Sequence, residues 1–190
     1  MSKLFSVCML AVPLLSGCAA SSEAMGEIGY AQLPRPRPGY ALVVFVRPSG
    51  FAAGDLYHVF SDRYGFLGDA QAETWFSAEI PAGQHVFCAS GGGVSALRAS
   101  QAPGRSYFVE VSSRYGFWGS RVHLVAIAPR FDNWASREQW LSENEAYVLV
   151  DRAAVDHDNI ASVIGECQKR LGDYSSDELD QRTLGPGDGL

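Results

Sequence analysis

Histidine and cysteine have the widest chemical reach in this chain, and their spacing decides what they can do. His58, His85 and His123 each fall in a strand-like run, and His157 stands near a helix start. Neutral imidazoles hold metals or relay protons. No His-x-His, His-Glu-x-x-His or Cys-x-x-Cys spacing is present to set two ligands on one element. Cys88 lies inside a strand-like run rather than at a helix start, where a thiolate would be stabilised. There is no Gly-x-Ser-x-Gly elbow, and Ser90-Gly91-Gly92-Gly93 lacks the Gly-Lys-Ser/Thr of a phosphate loop. Acids such as Asp62 and Asp69 are scattered, so no catalytic residue, metal ligand or cofactor is assigned. One enzymatic alternative stays open: a hydrolase or metal-dependent enzyme in which His58, His85 and His123 converge from three strands.

The elements that would position these residues are mostly strands. Tyr40–Arg47, YALVVFVR, is a β-branched apolar run stopped by Pro48, which predicts a strand covered on both faces. Leu56–Ser61, the run from Phe66 to Ile80, Gln84–Ala89, Ser95–Ser100, Ser106–Val111 and Arg121–Ala128 follow, separated by Gly and Pro turns. Pro81-Ala82-Gly83 reads as the turn that sets the register of two core strands. The spacing predicts a mainly β fold, an antiparallel immunoglobulin-like β-sandwich of seven to eight strands over residues 40–129.

After Pro129 the texture changes. Ser136-Arg137-Glu138-Gln139 has the form of a capping box, and Tyr147–Val150 reads as a strand or extended segment. Asp151 or Asp156 caps a helix whose Ile160, Val163, Ile164, Cys167 and Leu171 recur at helical spacing up to Gly172. The apolar face of these C-terminal helices is expected to pack against the sandwich, with a partner helix as the second reading. Residues 130–172 form this helical extension, and the acidic, glycine-rich residues 173–190 read as a mobile tail.

The N-terminus carries an address. Met1–Lys3 is a short positive region, Leu4–Leu15 an apolar run, and Leu15-Ser16-Gly17-Cys18 a small-residue box ending in cysteine. The run is too short for a membrane-spanning helix, which needs about 20 residues. Residues 1–17 therefore resemble a bacterial lipoprotein signal peptide, and Cys18 becomes the acylated first residue of the mature chain. Ala19 is not the Asp that resembles an inner-membrane retention signal, so the expected location is the periplasmic face of the outer membrane. Removing residues 1–17 takes away Lys3 and no acid, so the net charge moves from −6 to −7 (−6 − 1). That charge, without a basic cluster, excludes a general nucleic-acid binder. Residues 18–39, ending in Pro34-Arg35-Pro36-Arg37-Pro38-Gly39, read as a flexible tether. With 47% hydrophobic and 19% charged residues in 190, the rest reads as one folded domain.

Two pairings remain for the surface and the thiols. In an oxidising compartment Cys88 and Cys167 either form a disulfide, closing a loop of 79 residues (167 − 88), or stay as buried small hydrophobes. Arg63-Tyr64-Gly65-Phe66-Leu67-Gly68 recurs as Arg114-Tyr115-Gly116-Phe117-Trp118-Gly119. The two copies are either hairpin turns that need glycine, or a binding rim of Arg63, Tyr64, Phe66, Arg114, Tyr115, Phe117 and Trp118 for a sugar, lipid or protein.

The order Val43-Val44-Phe45-Val46-Arg47-Pro48, Phe66-Leu67-Gly68, Ile80-Pro81-Ala82-Gly83-Gln84-His85 and Ala102-Pro103-Gly104-Arg105-Ser106-Tyr107-Phe108-Val109 resembles a family of small bacterial lipoproteins of unknown function. The Pro-x-Gly-x-His turn is also distantly similar to PEGA-type envelope domains. The resemblance implies a β-sandwich domain in which Arg47, Gly83, His85 and Tyr107 are structural positions, and it brings no catalytic residue. The resulting expectation is a non-enzymatic binding or scaffolding module of the cell envelope. It would be held to the membrane through lipidated Cys18, with an envelope protein or glycan as partner and no nucleic acid.

Overall fold

Among the described residues eleven strands form from the alternating and apolar runs: β1 (Met25–Gly29), β2 (Tyr40–Arg47), β3 (Tyr57–Ser61), β4 (Gly65–Ala70), β5 (Thr74–Pro81), β6 (Gly83–Ser90), β7 (Val94–Gln101), β8 (Ser106–Gly116), β9 (Gly119–Ile127), β10 (Glu145–Leu149) and β11 (Thr183–Leu184). Three helices, α1 (Arg137–Glu143), α2 (Ile160–Asp173) and α3 (Ser176–Gln181), join them. The computed structural model describes residues 20–29, 32–117, 119–154 and 159–190. The signal segment 1–17, Cys18, Trp118, Asp156 and His157 lie outside the described residues.

The strands make two sheets, of order β1-β10-β5-β2-β8-β9 and β11-β7-β6-β3-β4. Both are mixed, where the strand spacing led to an antiparallel, immunoglobulin-like sandwich. β8 returns beside β2 on the same heading, β10 runs parallel to β5, and β11 runs parallel to β7. The eight strands β2–β9 match the count expected for residues 40–129. β1, β10 and β11 come from the segments read as tether, helical extension and tail.

The sheets pack face to face. Val43 and Phe45 of β2, Phe76 of β5 and Val109 of β8 meet Tyr57, Val59, Phe87 and Leu97 of the other sheet in one buried cluster. Phe45 stacks on Phe76 with ring centroids 5.1 Å apart and meets the edge of Phe87 at 5.4 Å. Leu42, Val44 and Val46 point the other way, under Trp134, Trp140 and Leu141 around α1, which explains the unbroken apolar run of β2. On the far side of the molecule α2 covers Phe60, Phe66, Cys88 and Ala96 with Ile160, Val163, Cys167 and Leu171. The helical segments thus cap the outer faces of both sheets.

Pro81-Ala82-Gly83 is not a hairpin turn. β5 belongs to one sheet and β6 to the other, so the chain turns a corner between layers. Gly83 takes φ 140°, a backbone that side chains resist. His85 Nε2 bonds the Pro81 carbonyl across the corner at 2.8 Å. This gives the Pro-x-Gly-x-His pattern a physical purpose, a corner closed by its own histidine.

The flanking segments are also built in. Arg37 donates from Nε to Glu79 at 2.6 Å and stacks on Tyr40, so the proline-rich stretch lies on the body instead of acting as a free tether. Leu184 of the expected mobile tail is fully buried, and Leu190 exchanges two backbone bonds with Ser106. The Tyr107 hydroxyl accepts from the Ala102 amide at 2.7 Å and donates to the Pro186 carbonyl at 3.0 Å. The capping box expected at Ser136 is not made, because Ser136 already has helical backbone angles. Ser175, with extended backbone, makes one with Glu178 at the start of α3.

Candidate functional site

The pleat of β3 and β4 sends Tyr57, Val59, Leu67 and Ala70 into the core, leaving His58 and Asp69 opposite one another on the outer face. His58 is likewise the register partner of Ser90 on β6, so Asp69, His58 and Ser90 form one row across three strands. The row lines an open cavity of about 570 Å³ whose walls also include residues 21–24 and the start of α2 at Ile160 and Val163. His58 Nδ1 meets Asp69 Oδ1 at 2.6 Å, and the Ser22 hydroxyl donates to Asp69 Oδ2 at 2.5 Å. Both oxygens of this buried carboxylate are thereby satisfied. The bond to Asp69 raises the His58 pKa above its ordinary 6.5, against the opposing effect of burial. With Nδ1–H committed to Asp69, the remaining Nε2 can accept a proton or a ligand donor.

The other strand histidines go elsewhere. His85 closes the corner at Pro81 and contacts the Tyr64 ring at 5.7 Å. His123 accepts from Arg182 at 3.0 Å. Burial, with Arg114, Arg182, Arg170 and Arg121 around it, lowers the His123 pKa to about 4. The convergence of His58, His85 and His123 that the enzymatic alternative required is therefore not formed, since β3, β6 and β9 present them at three separate places. Among the described residues no three His, Cys, Asp or Glu side chains gather as a metal-holding group.

The rim offered as one of the two readings of the repeated hexapeptide is split. β3 starts at the end of the sandwich where β2 finishes and runs back, whereas β8 runs with β2 to that end. The β3–β4 turn, with exposed Arg63 and Tyr64, thus lies by Pro81 and His85, and the β8–β9 turn lies at the opposite end. Phe66 is on neither surface: it is buried under α2 against Phe60. Arg114 is exposed, and Tyr115 and Phe117 are 87% and 85% exposed at the tip of the β8–β9 hairpin.

Cys88 and Cys167 do meet. Both are fully buried between β6 and α2 and stand as free thiols, with Cys167 Sγ also donating to the Ser95 carbonyl at 3.5 Å. The hydrogen bond with Cys167, with burial second, pushes the Cys88 thiol far above its ordinary range, so it is no nucleophile in the fold.

Arg47 organises the same end of the molecule as the β8–β9 tip. Its fully buried guanidinium donates to the carbonyls of Asp55, Ala70, Phe51 and Ala52 and lies 4.3 Å over the Tyr57 ring. The loop 48–56 is shaped by these bonds. Sequence reading placed Arg47 as the end of a strand and, through the family resemblance, as a structural position; a charged residue closing an apolar strand just before proline was the signal. His58–Asp69 gave no signal, because partners 11 residues apart meet only through the β3–β4 register.

Comparison with known proteins finds no similar family model, no similar curated protein and no similar solved structure.

Proposed function

We propose that this chain is a lipid-anchored periplasmic protein of the outer membrane, and that its β-rich body is a non-enzymatic binding or scaffolding module of the cell envelope. The observation that carries the reading is the apolar run Leu4–Leu15 followed by Leu15-Ser16-Gly17-Cys18. Acyl chains on Cys18 would contribute about 0.8 kcal/mol per buried methylene, enough for a stable anchor when two or more chains are present. The cavity beside Ser22, His58 and Asp69 would suit a small polar ligand, since it joins the His58–Asp69 pair to the apolar walls of Phe60, Ile160 and Val163. Cys18→Ala is expected to move the protein from the membrane fraction to the soluble periplasmic fraction. Retention of that variant in membranes overturns the anchor.

A second reading, a periplasmic hydrolase, draws support from the Asp69–His58–Ser90 row alone. There His58 Nε2 would act as the general base and Ser90 would supply the nucleophile.

A further inference from the structure

The β8–β9 tip and the chain's entry into the fold share one loop. The Ala20 amide donates to the Ala53 carbonyl at 2.9 Å, and two residues earlier in that loop Phe51 packs its ring 4.4 Å from Tyr115. The hairpin is held there: the Ser120 hydroxyl bonds both the Tyr57 hydroxyl and the Asp55 carboxylate, and Gly92 passes against the Ser120 carbonyl with no room for a side chain. Cys18 precedes Ala20 by two residues, so its acyl chains start within about 7 Å of this loop even if the link is fully extended.

The tip has the composition of an interfacial element. Tyr115 and Phe117 are the most exposed large hydrophobics among the described residues. Arg114 and Arg121 form a cross-strand pair directly beneath them. Next to this pair opens a groove of about 280 Å³ bounded by the glycine turn at Gly92 and Gly93 and by Arg121, Arg170 and Arg182, with Glu166 and Glu178 also on its wall. Glu178 is occupied in the capping box with Ser175. Asp55, Glu73, Glu143 and Glu145 also lie at this end of the sandwich, so the basic character is local to the Arg114–Arg121 pair at the tip. Aromatic rings favour the headgroup layer and arginines favour lipid phosphates.

We propose that this end of the molecule rests on the phospholipid surface, with Tyr115 and Phe117 entering the headgroup layer and Arg114 and Arg121 facing phosphates. The anchor, whose assignment rests on the lipidation of Cys18 proposed above, supplies the affinity. The hairpin fixes the orientation, leaving the β3–β4 turn with Arg63 and Tyr64 at the far end, facing the periplasm.

The test separates the two ideas. A mature chain with Cys18→Ser and an N-terminal hexahistidine tag is tethered to vesicles of phosphatidylethanolamine, phosphatidylglycerol and a nickel-chelating lipid, and amide hydrogen exchange is compared with the untethered protein. Exchange across residues 114–121 is expected to slow several-fold on vesicles while residues 62–66 are unchanged. Tyr115→Ser with Phe117→Ser, or Arg114→Glu with Arg121→Glu, is expected to abolish the slowing. Equal exchange at 114–121 with and without the membrane, or slowing that survives both double variants, overturns the docking. The mass of the native mature protein reads acylation of Cys18 independently.

Discussion

At the scale of single residues, two histidines of similar strand context acquire opposite protonation behaviour from their neighbours. His58 gains Asp69 and its pKa rises above 6.5, while His123 is buried among arginines and falls to about 4. A raised folded pKa contributes stability that is full below the unfolded value and is lost as pH rises through the folded value. For His58 that loss lies above pH 6.5. A depressed one works the other way, so His123 withdraws stability as pH falls from 6.5 toward about 4. Proton NMR titration of the histidine rings is expected to show His58 titrating above the ordinary value and His123 far below it, with Asp69→Asn removing the His58 shift. Under the hydrolase reading, cleavage of an activated ester rises with pH through the His58 value and is lost in both His58→Gln and Ser90→Ala. Absence of turnover in the unaltered protein removes that reading.

At the scale of elements, α2 is fastened to the five-stranded sheet by the contact of Cys167 with Cys88 and by the apolar residues at Ile160, Val163 and Leu171. The helical spacing of these residues was visible in the sequence, and the register that brings Cys167 onto Cys88 was not. Protein isolated from an oxidising compartment is expected to carry the Cys88–Cys167 disulfide, formed during folding by exchange with a disulfide donor that leaves as dithiol. Protein prepared in reductant is expected to carry two thiols that alkylate only after unfolding. Intact mass before and after alkylation distinguishes these states. The cross-link adds about 4 kcal/mol by the chain-entropy estimate for a loop of this length. Rapid alkylation of the native reduced protein would contradict the burial of the pair. The corner at Pro81-Ala82-Gly83 belongs to this scale too: its residues announced a turn, but hairpin and inter-sheet corner share the same turn chemistry, and only pairing partners tell them apart.

At the scale of the whole molecule, the two termini are parts of the body. Deleting residues 183–190 removes fully buried Leu184 and the partners of Ser106, Arg105 and Tyr107. The loss expected in urea denaturation is about 3 kcal/mol or more, from one buried leucine and several orphaned polar groups. An unchanged midpoint would return this segment to the status of a tail. The sequence by itself determined β2, a mainly β body of seven to eight strands between residues 40 and 129, and the α2 face, because each is written in local periodicity. Only the tertiary structure decided that the sheets are mixed and that β1, β10 and β11 join them. It also decided that His58 meets Asp69 while His85 and His123 do not, and that the twin hexapeptides face opposite ways. These outcomes depend on strand order and heading, which long-range burial selects and which no window of the chain encodes.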